Sequence, residues 1–225
     1  MTKSRLKQLF IIAVIVIAAI PLSFLIYRAY VLKQAEKNVG TIDIDVLIYE
    51  DADAGVTDIH SLKVSKMYYM QDMILEELEE EDVRKYCLFN DKYCTSYTTD
   101  LDSIEYLAKQ NFELKTIGAI PLNDTIPNYF DKKLMNDTVL DDIAYKRFAI
   151  RNPNEYTVFY VQDNLNIPYS FNKLAEKDFK GTITRIDSYK LQEDLFISVT
   201  LKVDKKIKKS YFNTLSTNYF KFSKL

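Results

Sequence analysis

The stretch Thr41–Tyr49, TIDIDVLIY, sets Ile42, Ile44, Val46 and Ile48 against Asp43, Asp45, Leu47 and Tyr49. Successive side chains leave opposite faces of a pleated chain, so this period of two marks a β-strand. One face is wholly aliphatic and demands cover. A second short strand is expected around Ile59–Val64. Towards the C-terminus three more strands are expected, at Glu155–Val161, Thr182–Tyr189 and Leu195–Val203. The last two are separated only by Lys190–Asp194 and read as a hairpin. Ile197, Val199, Leu201 and Val203 alternate with Ser198, Thr200, Lys202 and Asp204, as in a sheet with one buried and one wet face.

Between these strands the spacing predicts helices. Met67, Met70, Ile74, Leu75 and Leu78 recur at three and four residues, which predicts a helix over Met67–Arg84. Further helices are predicted over Asp100–Gln110, from Pro127 through Leu134, and over Thr138–Ala149. Asn152-Pro153-Asn154 is a turn. The tail YFNTLSTNYFKFSKL fits a helix or an edge strand.

N-terminal to the first strand, Leu9–Tyr27 is nineteen residues without a charge, bracketed by Lys7 and Arg28. A bilayer-spanning helix needs about 20 apolar residues. The expectation is therefore a short cytoplasmic tail over 1–8, a single transmembrane helix over 9–32 kinked at Pro21, and a stalk over 33–40 ending at Gly40. An extracytoplasmic domain over 41–225 follows. A cleaved signal peptide is the rival reading, but the apolar run continues past Ala19. The expected fold class is α+β: one membrane helix, then a globular domain with helices and a mainly antiparallel sheet. The expected location is the cell (inner) membrane, single-pass, with the N-terminus cytoplasmic; membrane lipid is then a partner through the anchor.

The chain has 225 residues and a net charge of −2, which supplies no field to attract nucleic acid. It has 17 Tyr, 13 Phe and no Trp, so these rings serve either as core or as a partner patch. Cys87 and Cys94 flank six residues containing Asn90-Asp91, a turn pair. That suits a local disulfide in an oxidising compartment, worth roughly 2–3 kcal/mol by loop closure. A zinc site needs two more ligands, and His60 is the one histidine. Two reduced thiols in a cytosolic domain are the third reading.

Two charged strips stand out. Glu76, Glu77, Glu79, Glu80, Glu81 and Asp82 form an acidic run able to dock a basic partner, although such runs are usually solvated faces. Lys202, Lys205, Lys206, Lys208 and Lys209 form a basic run, readable as lysines guarding a strand edge. Glu50–Gly55 has the look of a calcium loop, but Gly55 takes the third acidic position. His60 lacks the elbow motif that would make it a general base. Asn123 and Asn136 begin glycosylation sequons.

No cofactor is implied. With four glycines, no phosphate-cradling loop and no nucleophile motif, the chain reads as non-enzymatic. The layout resembles, in architecture, the bitopic inner-membrane subunits of bacterial secretion and conjugation machines. That implies a subunit or accessory factor acting through contacts with other envelope proteins. The alternatives are a membrane-anchored immunity protein that neutralises a toxin, using the acidic strip to steer association, and an extracytoplasmic domain that binds a small ligand.

Overall fold

The computed structural model describes residues 3–50, 58–80, 83–90, 98–101, 104 and 125–222. Strand β1 (Val39–Glu50) contains the Thr41–Tyr49 alternation, and Ile42 and Ile44 are buried as that alternation requires. Burying such a side chain fully contributes about 1.5–3 kcal/mol. β2 (Asp58–Met70) returns along one side of β1, and β3 (Met73–Glu80) and β4 (Val83–Phe89) follow outward. β5 (Lys133–Leu140), β6 (Ile143–Arg151), β7 (Glu155–Gln162), β8 (Thr182–Lys190) and β9 (Leu195–Asp204) form a second meander. The two are joined where β1 pairs with β9. The result is one nine-stranded sheet of order β4-β3-β2-β1-β9-β8-β7-β6-β5. Every pairing in it is antiparallel.

Among the described residues, three helices accompany the sheet: α1 (Lys3–Ala35), α2 (Lys173–Phe179) and α3 (Lys209–Phe222). In α3, Tyr211, Leu215 and Asn218 are buried, an i, i+4, i+7 stripe laid on β2–β4 together with Ala35 from the end of α1. Gln71, left-handed at φ 57 in the β2–β3 turn, donates its side-chain amide to the carbonyls of Gln34 and Ala35, at 3.1 Å each. These two carbonyls also accept from Lys37 N and Asn38 N at 3.2 Å each, so the Gln71 amide adds a second donor to each and ties the end of α1 to the β2–β3 turn. α2 is capped by Asn172, whose side chain accepts from Ala175 N at 2.8 Å. It covers the opposite face over β6–β8, where Phe148 stacks between Phe159 and Phe179.

The fold class differs from the expectation. The molecule is mostly sheet. Met67–Arg84 is not a helix but the end of β2, all of β3 and the start of β4. Met67, Tyr68, Tyr69 and Met70 are all buried, because both faces of the sheet are covered here. A strand buried on both faces loses its alternation, and an apolar run then matches helical spacing by chance. Thr138–Ala149 is the β5–β6 hairpin, turned by Asp141 and Asp142 at φ 49 and 64. Two left-handed residues in a two-residue loop give a primed turn that matches strand twist. The expected helix from Pro127 reduces to a 3-10 turn, Tyr129–Asp131. Asp100–Gln110 lies largely outside the described residues. The tail forms α3.

The membrane helix is also corrected. Among the described residues, no helix is long and apolar enough to cross a membrane. The part of α1 whose side chains are placed, from Ala19 to Ala35, is interrupted by Pro21, Ser23, Arg28, Lys33 and Gln34. Gly40 does not end a stalk; it lies inside β1. A Cβ there would sit 2.4 Å from the Asp204 carbonyl oxygen and 2.7 Å from the Tyr69 hydroxyl, so the strands close up around the missing side chain.

Candidate functional site

The two ends of the sheet differ. At one end, β4 is bridged by Thr98, with Tyr86 N donating to Thr98 O at 2.8 Å and Thr98 N to Tyr86 O at 3.2 Å. At the other end, nothing among the described residues pairs with the outer side of β5. β5 keeps large apolar side chains in the open: Leu134 is 75% exposed and Val139 64%. Phe130, in the turn just before it, is 85% exposed. Their partners in β6, Phe148 and Ala144, place Leu134 and Val139 on the face that carries α2.

On the other face, Lys133 and Met135 lie opposite Ala149 and Arg147. A pocket of about 640 Å³ opens there, lined by Asp131, Lys133, Leu134, Met135, Ala149, Arg151 and Tyr156. The small side chain of Ala149 leaves the space, and Tyr156, bonded to the Met135 sulfur at 3.9 Å, walls it. Lys133 and Arg151 make no ion pair among the described residues. A bulge between Met135 and Thr138 ends the regular ladder, where Arg147 Nε donates to Asn136 O at 2.9 Å.

Inward from the pocket, the same face is a closed polar network. Arg185 Nε donates to both carboxylate oxygens of buried Asp187, at 2.9 and 3.0 Å, and Ser198 donates to Oδ1 at 2.7 Å. The guanidinium carbons of Arg185 and Arg147 lie 5.3 and 5.9 Å from the centre of the Tyr160 ring. Burial and Asp187 push the Tyr160 phenol up, so it stays neutral. Burial works to lower Arg185, but its bond to Asp187 outweighs that and leaves its affinity for the proton above the usual value. Lys66 meets Asp43 at 3.7 Å and Lys202 meets Asp45 at 2.9 Å further along the face. These charges face one another across the strands behind the pocket.

The residues singled out by sequence fall elsewhere. Glu76 is fully buried on β3 and accepts from Ser65 at 2.5 Å. Glu77, on the opposite face, accepts from Tyr68 at 3.0 Å and Tyr211 at 2.8 Å, with Arg84 3.5 Å away. The two tyrosine rings stack with centroids 3.6 Å apart. Burial is the largest cause raising both phenols; the Tyr211 contact and then Glu77 raise Tyr68 further, and Glu77 adds to burial at Tyr211, which is pushed up to about 12. Glu76 and Glu77 thus point to opposite faces of the sheet. Glu79 and Glu80 lie in β3 opposite Arg84 and Val83; Glu81 and Asp82 lie outside the described residues. Of the basic strip, Lys202, Lys205, Lys206, Lys208 and Lys209 are exposed, running from β9 into α3.

Cys87 is wholly buried on β4 and carries no disulfide among the described residues, contrary to the expected Cys87–Cys94 bridge; Cys94 itself lies outside the described residues. Cys87 points into an apolar cluster with Ile74 and Phe89, where a strand places it as a core residue and not at a solvent-facing turn. His60 is in β2 opposite Ile48. Asn136 of the second sequon is at the β5 bulge. Asn123 and most of the Glu50–Gly55 loop lie outside the described residues. Among the described residues, no group of His, Cys, Asp or Glu could hold a metal ion.

Sequence reasoning missed β5 and the pocket beside it. The one available signal was Asp141-Asp142 between Leu140 and Ile143, a turn pair tolerant of left-handed backbone.

No family model matches the chain. No curated protein matches it either. Among solved structures it is similar to PNGF-II, in two crystal forms, at a TM-score of 0.30 and 9% identity over 77% of this chain. The chain spans 30% of that protein's length. A DUF1329 family protein from Desulfovibrio piger gives a TM-score of 0.21 at 12% identity, over 82% of this chain and 94% of the other. Similarity this slight carries no functional argument.

Proposed function

We propose that this chain is a non-enzymatic binding protein that holds a protein partner against the outer edge of β5, which no described residue pairs, as a subunit or accessory factor of a larger assembly. The observation that supports the reading is the contrast between the two sheet ends. An edge strand offers unpaired N–H and C=O groups, and proteins normally cover such edges or arm them with charge. β4 is bridged at Tyr86 by Thr98, whereas β5 presents Leu134 and Val139 to solvent. Steering of a basic toxin through Glu76 or Glu77 is not favoured, because both are engaged inside the protein.

The test is affinity purification of the full chain from its own cells, beside the Leu134→Ser/Val139→Ser variant, with quantitative mass spectrometry. Both side chains are exposed, so the variant keeps the fold. The reading predicts a stoichiometric protein that the variant loses. Retention of the same partners at the same stoichiometry by the variant would refute it.

A further inference from the structure

We infer, resting on that reading, that the partner contributes an extended segment in which acidic and apolar residues alternate, added as a further strand along β5. Strand addition satisfies the edge through the backbone, and side chains on alternate faces give the selectivity. The two faces of β5 ask for different chemistry. On the α2 side, Leu134 and Val139 are exposed and take apolar side chains. On the pocket side, Lys133 and Arg151 stand without ion pairs among the described residues, against the single acid Asp131. Two cations to one anion favour a carboxylate from the added strand, and the pocket above Ala149 gives it room. Asp137, exposed at the bulge, repels an acid at that end, so the carboxylate belongs at the Lys133 end.

The probes are acetylated peptides of about eight residues: alternating Glu-Val, alternating Lys-Val, and Glu-Val with N-methylated backbone amides. Each is titrated into the full chain, the Lys133→Glu/Arg151→Glu variant and the Leu134→Ser/Val139→Ser variant, with thermal melts as the folding control. The inference expects the Glu-Val peptide to bind best. It expects N-methylation to abolish binding, and the charge-reversed variant to lose about tenfold or more in affinity and to prefer Lys-Val. If both peptides bind alike and charge reversal changes nothing, while the serine variant binds neither, the acidic partner is overturned and the free-edge reading stands. If the serine variant binds as well as the parent, the reading itself falls. If no peptide binds, or concentration-dependent dimers form through β5 instead, the inference is overturned.

Discussion

Glu176 shows how a single residue is placed against its own preference. It sits in the short helix α2 and accepts from Ile183 N at 3.0 Å, joining the helix to β8. Burial raises its carboxyl above the usual range, more than the bonds from Ser170 and the backbone lower it. A carboxyl raised in the folded state binds its proton more tightly there than in the unfolded chain. Its favourable contribution is therefore complete below the unfolded value, near pH 4.5, and is lost as pH climbs through the raised one. Glu176→Gln keeps an acceptor for Ile183 without the charge. We expect it to melt at or above the parent temperature at pH 8 and to lose that advantage at pH 4. A lower melting temperature at pH 8 would mean that the ionised form is the stabilising one. Asp187 is buried more fully and is matched by Arg185 and Ser198. Removing one partner of such a pair costs more than the pair contributes.

Whether an element was legible in the sequence depended on how its faces are covered. β1 over Ile42–Asp45 and the C-terminal half of β9 have one better-buried face, so alternation survives there and the strands are readable from Ile42–Ile48 and Ile197–Val203. β2 and β3 run between α3 with the end of α1 on one side and the Ile42–Phe89 cluster on the other. That double burial replaced alternation with a continuous apolar run, and the glutamates of β3 added helical propensity. The edge strand was hidden for another reason. Which strand ends a sheet depends on the distant pairing of β1 with β9, and no local pattern encodes it. The β5–β6 turn carries its own prediction. Asp141 and Asp142 both occupy the left-handed region, where a Cβ costs about 1–2 kcal/mol per residue and glycine costs far less. Asp142→Gly should stabilise the chain by about 0.5–1 kcal/mol, read as a higher denaturation midpoint with an unchanged slope. A lower midpoint would contradict the two-residue turn.

At the scale of the whole molecule, two meanders share one ladder, and their outer edges are unlike. β1 and β9 have neighbours on both sides, so their amides exchange only when the sheet opens. β4 is bridged at Tyr86. β5 alone among the strand edges carries exposed Leu134 and Val139 over a ladder with no outer partner among the described residues. Residue-resolved amide hydrogen exchange on the full chain tests this most directly. The account predicts that β1 and β9 exchange slowest, that Tyr86 is protected, and that alternate amides of β5 exchange nearly as fast as unstructured chain. Uniform protection along β5, equal to that of β1, would contradict the free edge and the binding function built on it.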